Sequence, residues 1–351
     1  MVKDIEGDEK VRLYQNRMYL TGLYNPDDIS VEDKDLAYIA GLFDTEVALI
    51  IRHSGRWYGL RISYNKTDYD ILEFLANIFG GAVSRVKPQP FHRLKVWEWH
   101  LSGGYAYRAL RKLYPFLRIK QEAAAICIEF FERYWQPYSS KPVSPERQAI
   151  GAQYKSRIQK YQLKPGSSKK PRPIYERIEQ QRSIAIPPEY VQTLTIPKPY
   201  RLLQIALPEL KLAYIAGLLD AESSFLIYKL SNKPSYLLEV AYRKTDYNTL
   251  AYLSNIFGGR VRPASSSLGN ILGVWLWKLT SVKAYRLLKL IYPFLRIKRK
   301  AAEICMEFFE LYWQGVSTKP VSPERQAIGA KYADLLRQYH TKSMPHRRLR
   351  S

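Results

Sequence analysis

Cysteine and histidine are scarce: the 351-residue chain has two of the first and five of the second. That supply excludes the repeated Cys and His spacings of zinc fingers and a disulfide framework. Cys127 and Cys305 stand at equivalent places in apolar, helix-patterned sequence and read as small core residues. No uninterrupted apolar run approaches the roughly 20 residues that cross a bilayer, so no membrane span is expected. Asp4, Glu6, Asp8 and Glu9 stand where a secretory leader would need a basic flank and an apolar stretch, so the expected setting is intracellular. A Walker phosphate loop and a dinucleotide fingerprint are also absent. Acid is in deficit too. Lys and Arg number 55 against 32 Asp and Glu, a formal net charge of +23, and the natural partner of so basic a chain is a polyanion.

What the chain does have is a copy of itself. Leu36-Ala-Tyr-Ile-Ala-Gly-Leu-Phe-Asp-Thr-Glu46 returns as Leu212-Ala-Tyr-Ile-Ala-Gly-Leu-Leu-Asp-Ala-Glu222, and Tyr114-Pro-Phe-Leu-Arg-Ile-Lys120 returns at 292–298. Lys141-Pro-Val-Ser-Pro-Glu-Arg-Gln-Ala-Ile-Gly-Ala152 returns at 319–330. The glutamates are 176 residues apart (46 to 222) and the lysines 178 (120 to 298), so the second copy gains two residues between them. A spacing this long means duplicated domains, since solenoid repeats recur every 20–50 residues or so. The expected organisation is an arm over 1–30, a first repeat domain over 31–160, a linker over 161–205 rich in Lys, Pro and Gly, and a second repeat domain over 206–351.

Within each copy the periodicity alternates. A helix is predicted from about Ser30 through Glu46, with Ser30 and Asp33 in capping-box spacing and Leu36, Ile39, Ala40 and Phe43 at helical intervals. Strand-like runs follow at 47–52 and 57–65, the second with Tyr58, Leu60, Ile62 and Tyr64 alternating with Trp57, Gly59, Arg61, Ser63 and Asn65. A helix over 68–79 closes on Gly80-Gly81, strands are predicted at 82–87 and 95–101, and helices at 105–114 and 120–135. The second half repeats the pattern through 223–227, 236–243, 249–257, 260–262, 273–279 and 301–313. The fold class is therefore α+β: two pseudo-symmetric αββαββα repeats, each an antiparallel four-stranded sheet with helices on one face. Ala40-Gly41 and Ala216-Gly217 are small enough for the two motif helices to pack on each other, which would bring Glu46 and Glu222 side by side. Two clustered carboxylates call for a counter-charge, most simply a hard divalent cation such as magnesium.

The two motifs, Ile39-Ala-Gly-Leu-Phe-Asp-Thr-Glu46 and Ile215-Ala-Gly-Leu-Leu-Asp-Ala-Glu222, resemble those of the monomeric, double-motif LAGLIDADG homing endonucleases, and the resemblance covers nearly the whole chain. It extends to Pro115-Phe-Leu-Arg-Ile-Lys120 and Pro293-Phe-Leu-Arg-Ile-Lys298, which are similar to a block that follows the sheet in that family. The resemblance implies that Glu46 and Glu222 hold Mg2+ or Mn2+, with Ca2+ binding without supporting cleavage. It implies that Asp44 and Asp220 are structural, that Lys120 and Lys298 stand at the cleavage centre or contact phosphate, and that Asn65 and Arg243 sit near a water-positioning place. The implied activity is a double-strand break in a long asymmetric DNA target by metal-dependent hydrolysis, leaving short 3′ overhangs. Val47 and Ser223 depart from the Gly that usually ends the motif, and the acid is Glu in place of Asp in both copies. Asn65 against Arg243 further implies unequal cutting of the two strands.

Recognition is expected from the polar sheet faces, with Arg52, Arg61, Arg85, Lys87, Arg243, Arg260 and Arg262 contacting phosphates or base edges in double-stranded DNA. The Trp97/Trp99 and Trp275/Trp277 pairs are expected to pack against the helices. The same scaffold could also serve as an intron RNA-splicing maturase or as a catalytically silent DNA-binding protein.

Overall fold

A computed structural model describes residues 22–55, 57–87, 95–135, 143–162, 207–231, 233–266, 269–313 and 321–343. The chain divides into two compact units, Met1–Lys164 and Pro165–Ser351. The first residues of the expected arm and nearly all of the expected linker lie outside the described residues. The end of the arm is built into the first unit: Pro26–Asp28 form a 3-10 turn, and the Tyr24 ring meets Phe131 and Trp135 edge-on at 6.1 Å each. Gly104 makes that docking feasible, because a Cβ there would lie 2.0 Å from the Tyr24 ring.

In the first unit α1 (Asp33–Thr45) leads into a hairpin of β1 (Ala48–Ser54) and β2 (Trp57–Lys66), then α2 (Tyr69–Phe79), β3 (Ala82–Arg85), β4 (Trp97–Ser102), α3 (Gly103–Leu113), α4 (Gln121–Tyr134) and α5 (Pro145–Gln162). All strand pairings are antiparallel, in the order β1-β2-β4-β3. The capping box expected at Ser30 does not form. Glu32 is the N-cap and makes no side-chain cap bond, so Asp33 and Asp35 in the first turn are what complement the positive end of the helix dipole. Asp68 does cap α2, accepting the Asp70 N–H at 3.1 Å, and Gly80 ends it at φ +75°. Gly81 follows at φ +93°, and a Cβ there would come within 2.5 Å of the His100 carbonyl oxygen. That close approach lets β3 leave the helix and pair directly with β4.

One face of the sheet carries the core. Leu49, Ile51, Leu60, Ile62, Tyr64, Trp99 and Leu101 are buried, and Phe43 and Phe79 close on the Trp99 ring at 6.2 and 6.3 Å. The Trp99 indole donates to the Gly80 carbonyl at 2.9 Å, which fixes the packing role expected of it. Over the β1–β2 hairpin lies α5, a helix whose place the duplicated 141–152 segment did not disclose. Its Gly151 leaves a notch filled by the Tyr58 ring, where a Cβ would lie 2.2 Å away.

The second unit repeats this with α6 (Glu209–Glu222), β5 (Ser223–Lys229), β6 (Tyr236–Lys244), α7 (Tyr247–Phe257), β7 (Arg260–Ser266), β8 (Gly269–Thr280), α8 (Ser281–Ile291), α9 (Arg299–Tyr312) and α10 (Pro323–Ser343). Its sheet order is β5-β6-β8-β7, again fully antiparallel. The Trp277 indole donates to the Gly258 carbonyl at 2.9 Å, and Gly329 receives the Tyr236 ring as Gly151 receives Tyr58. Cys127 and Cys305 are free and buried, and burial pushes the Cys127 thiol up to about 12, so both behave as core residues. Among the described residues no helix is long and apolar enough to cross a membrane.

Candidate active site

In each unit the site grows from the C-terminal end of the motif helix, α1 or α6. Every residue from Leu36 to Thr45 is buried, and so is every residue from Leu212 to Ala221, which leaves the motif glutamate as the point where the helix emerges. A carboxylate is electrostatically misplaced there, because the last carbonyls of a helix carry about half a negative charge. Two lysines offset this. Lys66 at the end of β2 places its ammonium 2.5 Å from the Glu46 carboxylate, and the Tyr64 hydroxyl donates to the same oxygen at 3.1 Å. Lys244, at the end of β6, stands 2.6 Å from Glu222. The glutamate side chains remain 24% and 26% exposed, enough for a small ion or a phosphate oxygen to reach them.

The second lysine acts on the helix itself. Lys120 donates to the Phe43 and Val47 carbonyl oxygens at 2.7 Å each. Lys298 donates to the Leu219 carbonyl at 3.0 Å and also to that of Asp220. Both therefore cap the carbonyl-rich end beside the glutamate.

What holds these lysines in place is the buried aspartate two positions before each glutamate. Asp44 accepts the backbone N–H groups of Arg118, Ile119 and Lys120 at 2.8, 3.0 and 2.7 Å, and Asp220 accepts those of Arg296, Ile297 and Lys298 at 2.7, 3.0 and 2.8 Å. The two exposed fractions are 1% and 0%. These three N–H groups belong to the turn that ends at the N-cap of α4 or α9, so each aspartate bolts the lead-in of a later helix to the end of the motif helix.

Asn65 and Arg243 go elsewhere. They alternate with Lys66 and Lys244 along their strands, so they are exposed on the opposite face of the sheet from the lysine–glutamate pairs. That face is open to solvent and carries most of the expected DNA-contacting residues. Arg52, Arg243, Arg260 and Arg262 are exposed on it, whereas Arg61 is held by Glu98 at 3.0 Å. Arg85 pairs in register with Trp97, which places it on the helix-covered face at the sheet edge, and Lys87 lies exposed beyond the end of β3. Each open face also contains an acid outside the expected set, Glu98 in the first unit and Glu239 in the second. Burial pushes the Glu98 carboxyl up, and the Ser63 hydroxyl and Arg61 guanidinium outweigh it, leaving Glu98 below the usual carboxylate range. In the second unit Glu239 is buried, accepting from Lys278 at 2.7 Å and from the Tyr228 hydroxyl at 3.0 Å.

The glutamate partners Lys66 and Lys244 were also missed, although a signal existed. They begin the Lys-Thr-Asp triplet that occurs in both copies, and duplication marks a residue as clearly as it marks a motif.

The chain has the fold of the LAGLIDADG homing endonucleases, in the form that carries the motif twice. Among solved structures it is similar to I-GzeII in complex with its DNA target, with 12% identity, a TM-score of 0.54, and 87% of this chain and 98% of that one covered. I-SmaMI bound to uncleaved DNA in the presence of calcium ions matches at 13% identity and a TM-score of 0.55 over 88% of this chain and 98% of that one. I-AabMI bound to uncleaved DNA matches at 16% and 0.55 over 85% and 98%. No protein-family model matches the chain, and no curated protein sequence does.

Proposed function

We propose that the protein is a site-specific DNA endonuclease that hydrolyses one phosphodiester on each strand of a long asymmetric target. The observation that carries this reading is the duplicated constellation of one exposed-enough carboxylate and two lysines at the negative end of a buried helix, beneath an open basic sheet face. A stable fold has no need to place a carboxylate there, and the arrangement recurs in both units.

The donor set fits magnesium. Among the described residues no three His, Cys, Asp or Glu side chains converge, so neither unit offers an all-protein cage. Magnesium usually takes only one or two carboxylates and completes its shell with water and substrate phosphate oxygens. Glu46 and Glu222 are the residues that would hold it, and when bound it would activate water and stabilise the charge that develops at phosphorus. The rest of the work belongs to the chain. Lys66 and Lys244 neutralise the glutamates in the DNA-free protein and, once released, can meet a phosphate. Lys120 and Lys298 fix the helix end and leave a cation near the scissile group, where it stabilises the leaving 3′ oxygen or the phosphorane charge. The product of each hydrolysis is a new P–OH bond in place of the broken P–O3′ bond. Open sheet faces that enter successive major grooves would span about two helical turns.

The neighbouring DNA-bound nucleases support this reading by their shared fold, and the net charge of +23 supports a polyanionic substrate. The test is cleavage of a randomised duplex library by the parent, Glu46→Gln and Glu222→Gln with and without magnesium, the cut ends being sequenced. One long site cut on both strands by the parent alone, with binding retained by both variants, is expected. Binding without magnesium-dependent cleavage by the parent would refute the enzymatic reading and leave a DNA-binding protein.

A further inference from the structure

The strand registers allow the two open faces to be matched position by position. In the first unit Ala48 pairs with Ser63 and Ser63 with His100; in the second Ser224 pairs with Ala241 and Ala241 with Lys278. With that match, Ile50, Arg52, Gly59 and Arg61 at the β1/β2 edge correspond to Leu226, Tyr228, Leu237 and Glu239 at the β5/β6 edge. Ala82, Ser84 and Glu98 at the β3/β4 edge correspond to Arg260, Arg262 and Leu276. At these matched positions the cations stand on different edges: Arg52 and the Glu98-paired Arg61 on the first hairpin edge, and Arg260 and Arg262 on the opposite edge of the second face.

The second hairpin edge is apolar in a way the first is not. Leu226 is 37% exposed and Tyr228 36%, with Leu237 beside them in register. The Tyr228 hydroxyl is committed to Glu239 at 3.0 Å, so what it offers a ligand is its ring. Ala241 and Leu276, further across the same face, are buried with Ala264 in a small apolar cluster that supports this edge from within. Exposed Arg243, Arg260 and Arg262 flank it, so its occupant is both anionic and apolar at defined points. In a major groove the apolar group that meets this description is the C5 methyl of thymine.

We propose that the two units read their half-sites by different chemistry at matching places. Where the first hairpin edge offers Arg52 to hydrogen-bond acceptors such as those of guanine, the second uses Leu226, Tyr228 and Leu237 to contact thymine methyl groups. This rests on the reading of the protein as a sequence-specific DNA-binding endonuclease. The specificity of the second half-site then comes from shape and methyl burial along one edge and from Arg260 and Arg262 along the other.

The test uses the full chain with calcium. Bound sequences are selected from a randomised duplex library by the parent, Arg52→Ala and Arg262→Ala, which assigns each half-site to the unit whose variant shifts its consensus. Affinity is then measured on the parent's selected duplex with every thymine of one half-site replaced by deoxyuridine, a change that removes only methyl groups. The expected result is a loss of about fourfold for each methyl that loses its contact, confined to the half-site assigned by Arg262→Ala. The double variant Tyr228→Arg with Leu237→Gly, which installs the first unit's residues at those two places, should reduce that loss to the share carried by Leu226. Equal losses in both half-sites, a loss only in the first, or none overturns the proposal while leaving sequence-specific binding intact. Failure to enrich any sequence overturns both it and the function on which it rests.

Discussion

Removing the Asp44 carboxylate is the sharpest way to test how the site is built. Asp44→Ala deletes the acceptor of three backbone N–H groups, held at 2.7–3.0 Å in an environment where the residue is 1% exposed. A hydrogen bond to a charged group contributes roughly 1.5–3 kcal/mol, and an orphaned buried donor costs about 1–3 kcal/mol. The three share one carboxylate and are not additive, so the expected loss is about 4 kcal/mol, in line with breaking a buried charged pair. With a urea slope of about 2 kcal/mol/M, the unfolding midpoint of the first unit should fall by about 2 M. Asp44→Asn keeps one carbonyl oxygen, which can still accept from two of the three donors, and should lose about half as much. Asp220→Ala should produce the same loss in the second unit, since its three distances, 2.7–3.0 Å, are nearly the same. Urea titrations of the full chain, followed by tryptophan fluorescence and circular dichroism, measure all three. A shift below about 0.5 M for Asp44→Ala, or an Asn variant as damaged as the Ala variant, would refute the bolt.

Gly81→Ala and Gly259→Ala each force a Cβ to 2.5 Å from a backbone oxygen at positive φ and should cost about 2–4 kcal/mol, read as a lowered thermal midpoint with unchanged helix content. Lys66→Met and Lys244→Met free the glutamates of the cation that competes for them and should tighten calcium binding by the DNA-free protein by about three- to tenfold in a calorimetric titration. Unchanged affinity would show that the lysines do not guard the carboxylates. Glu98 ends below the usual carboxylate range because Ser63 and Arg61 outweigh its burial, so its contribution is present above the ordinary glutamate value and lost as pH falls through the lower folded value. Acid titration of Ser63→Ala should accordingly show that loss beginning at higher pH than in the parent, and coincident curves would count against the Ser63 contribution.

The repeat makes the architecture legible in the sequence: two copies of one helix, two copies of one later block and period-two strands dictate two antiparallel sheets, and that is what forms. The structural role expected of Asp44 and Asp220 was read from resemblance, and the hydrogen bonds give it a physical cause. Other features depend on what lies across space. Ser30 has the side chain for a cap, yet helix begins only after Glu32. Sequence spacing shows that Asn65 and Lys66 point to opposite faces, but not which of them meets Glu46, because that depends on where the motif helix ends over the strand. Arg85 looked like a reader until its pairing with Trp97 turned it to the other side. The helix over 145–162 was hidden because its sequence is polar and it buries few of its own residues, gripping the hairpin mainly through the Tyr58 ring at Gly151.

Strand alternation separates what this protein can change from what it must keep. Positions such as 50, 52, 226 and 237 face outward, while their immediate neighbours build the core, so the outer surface can be altered one residue at a time at little cost to folding. The exceptions are Glu98 and Glu239, whose neighbours depend on them; a lineage that alters either must alter Arg61 or Lys278 as well. Retargeting should therefore travel quickly along most of each face and stall at two fixed points, one in each unit. The different edges on which the cations stand at matched positions of the two copies are the trace that such a walk would leave.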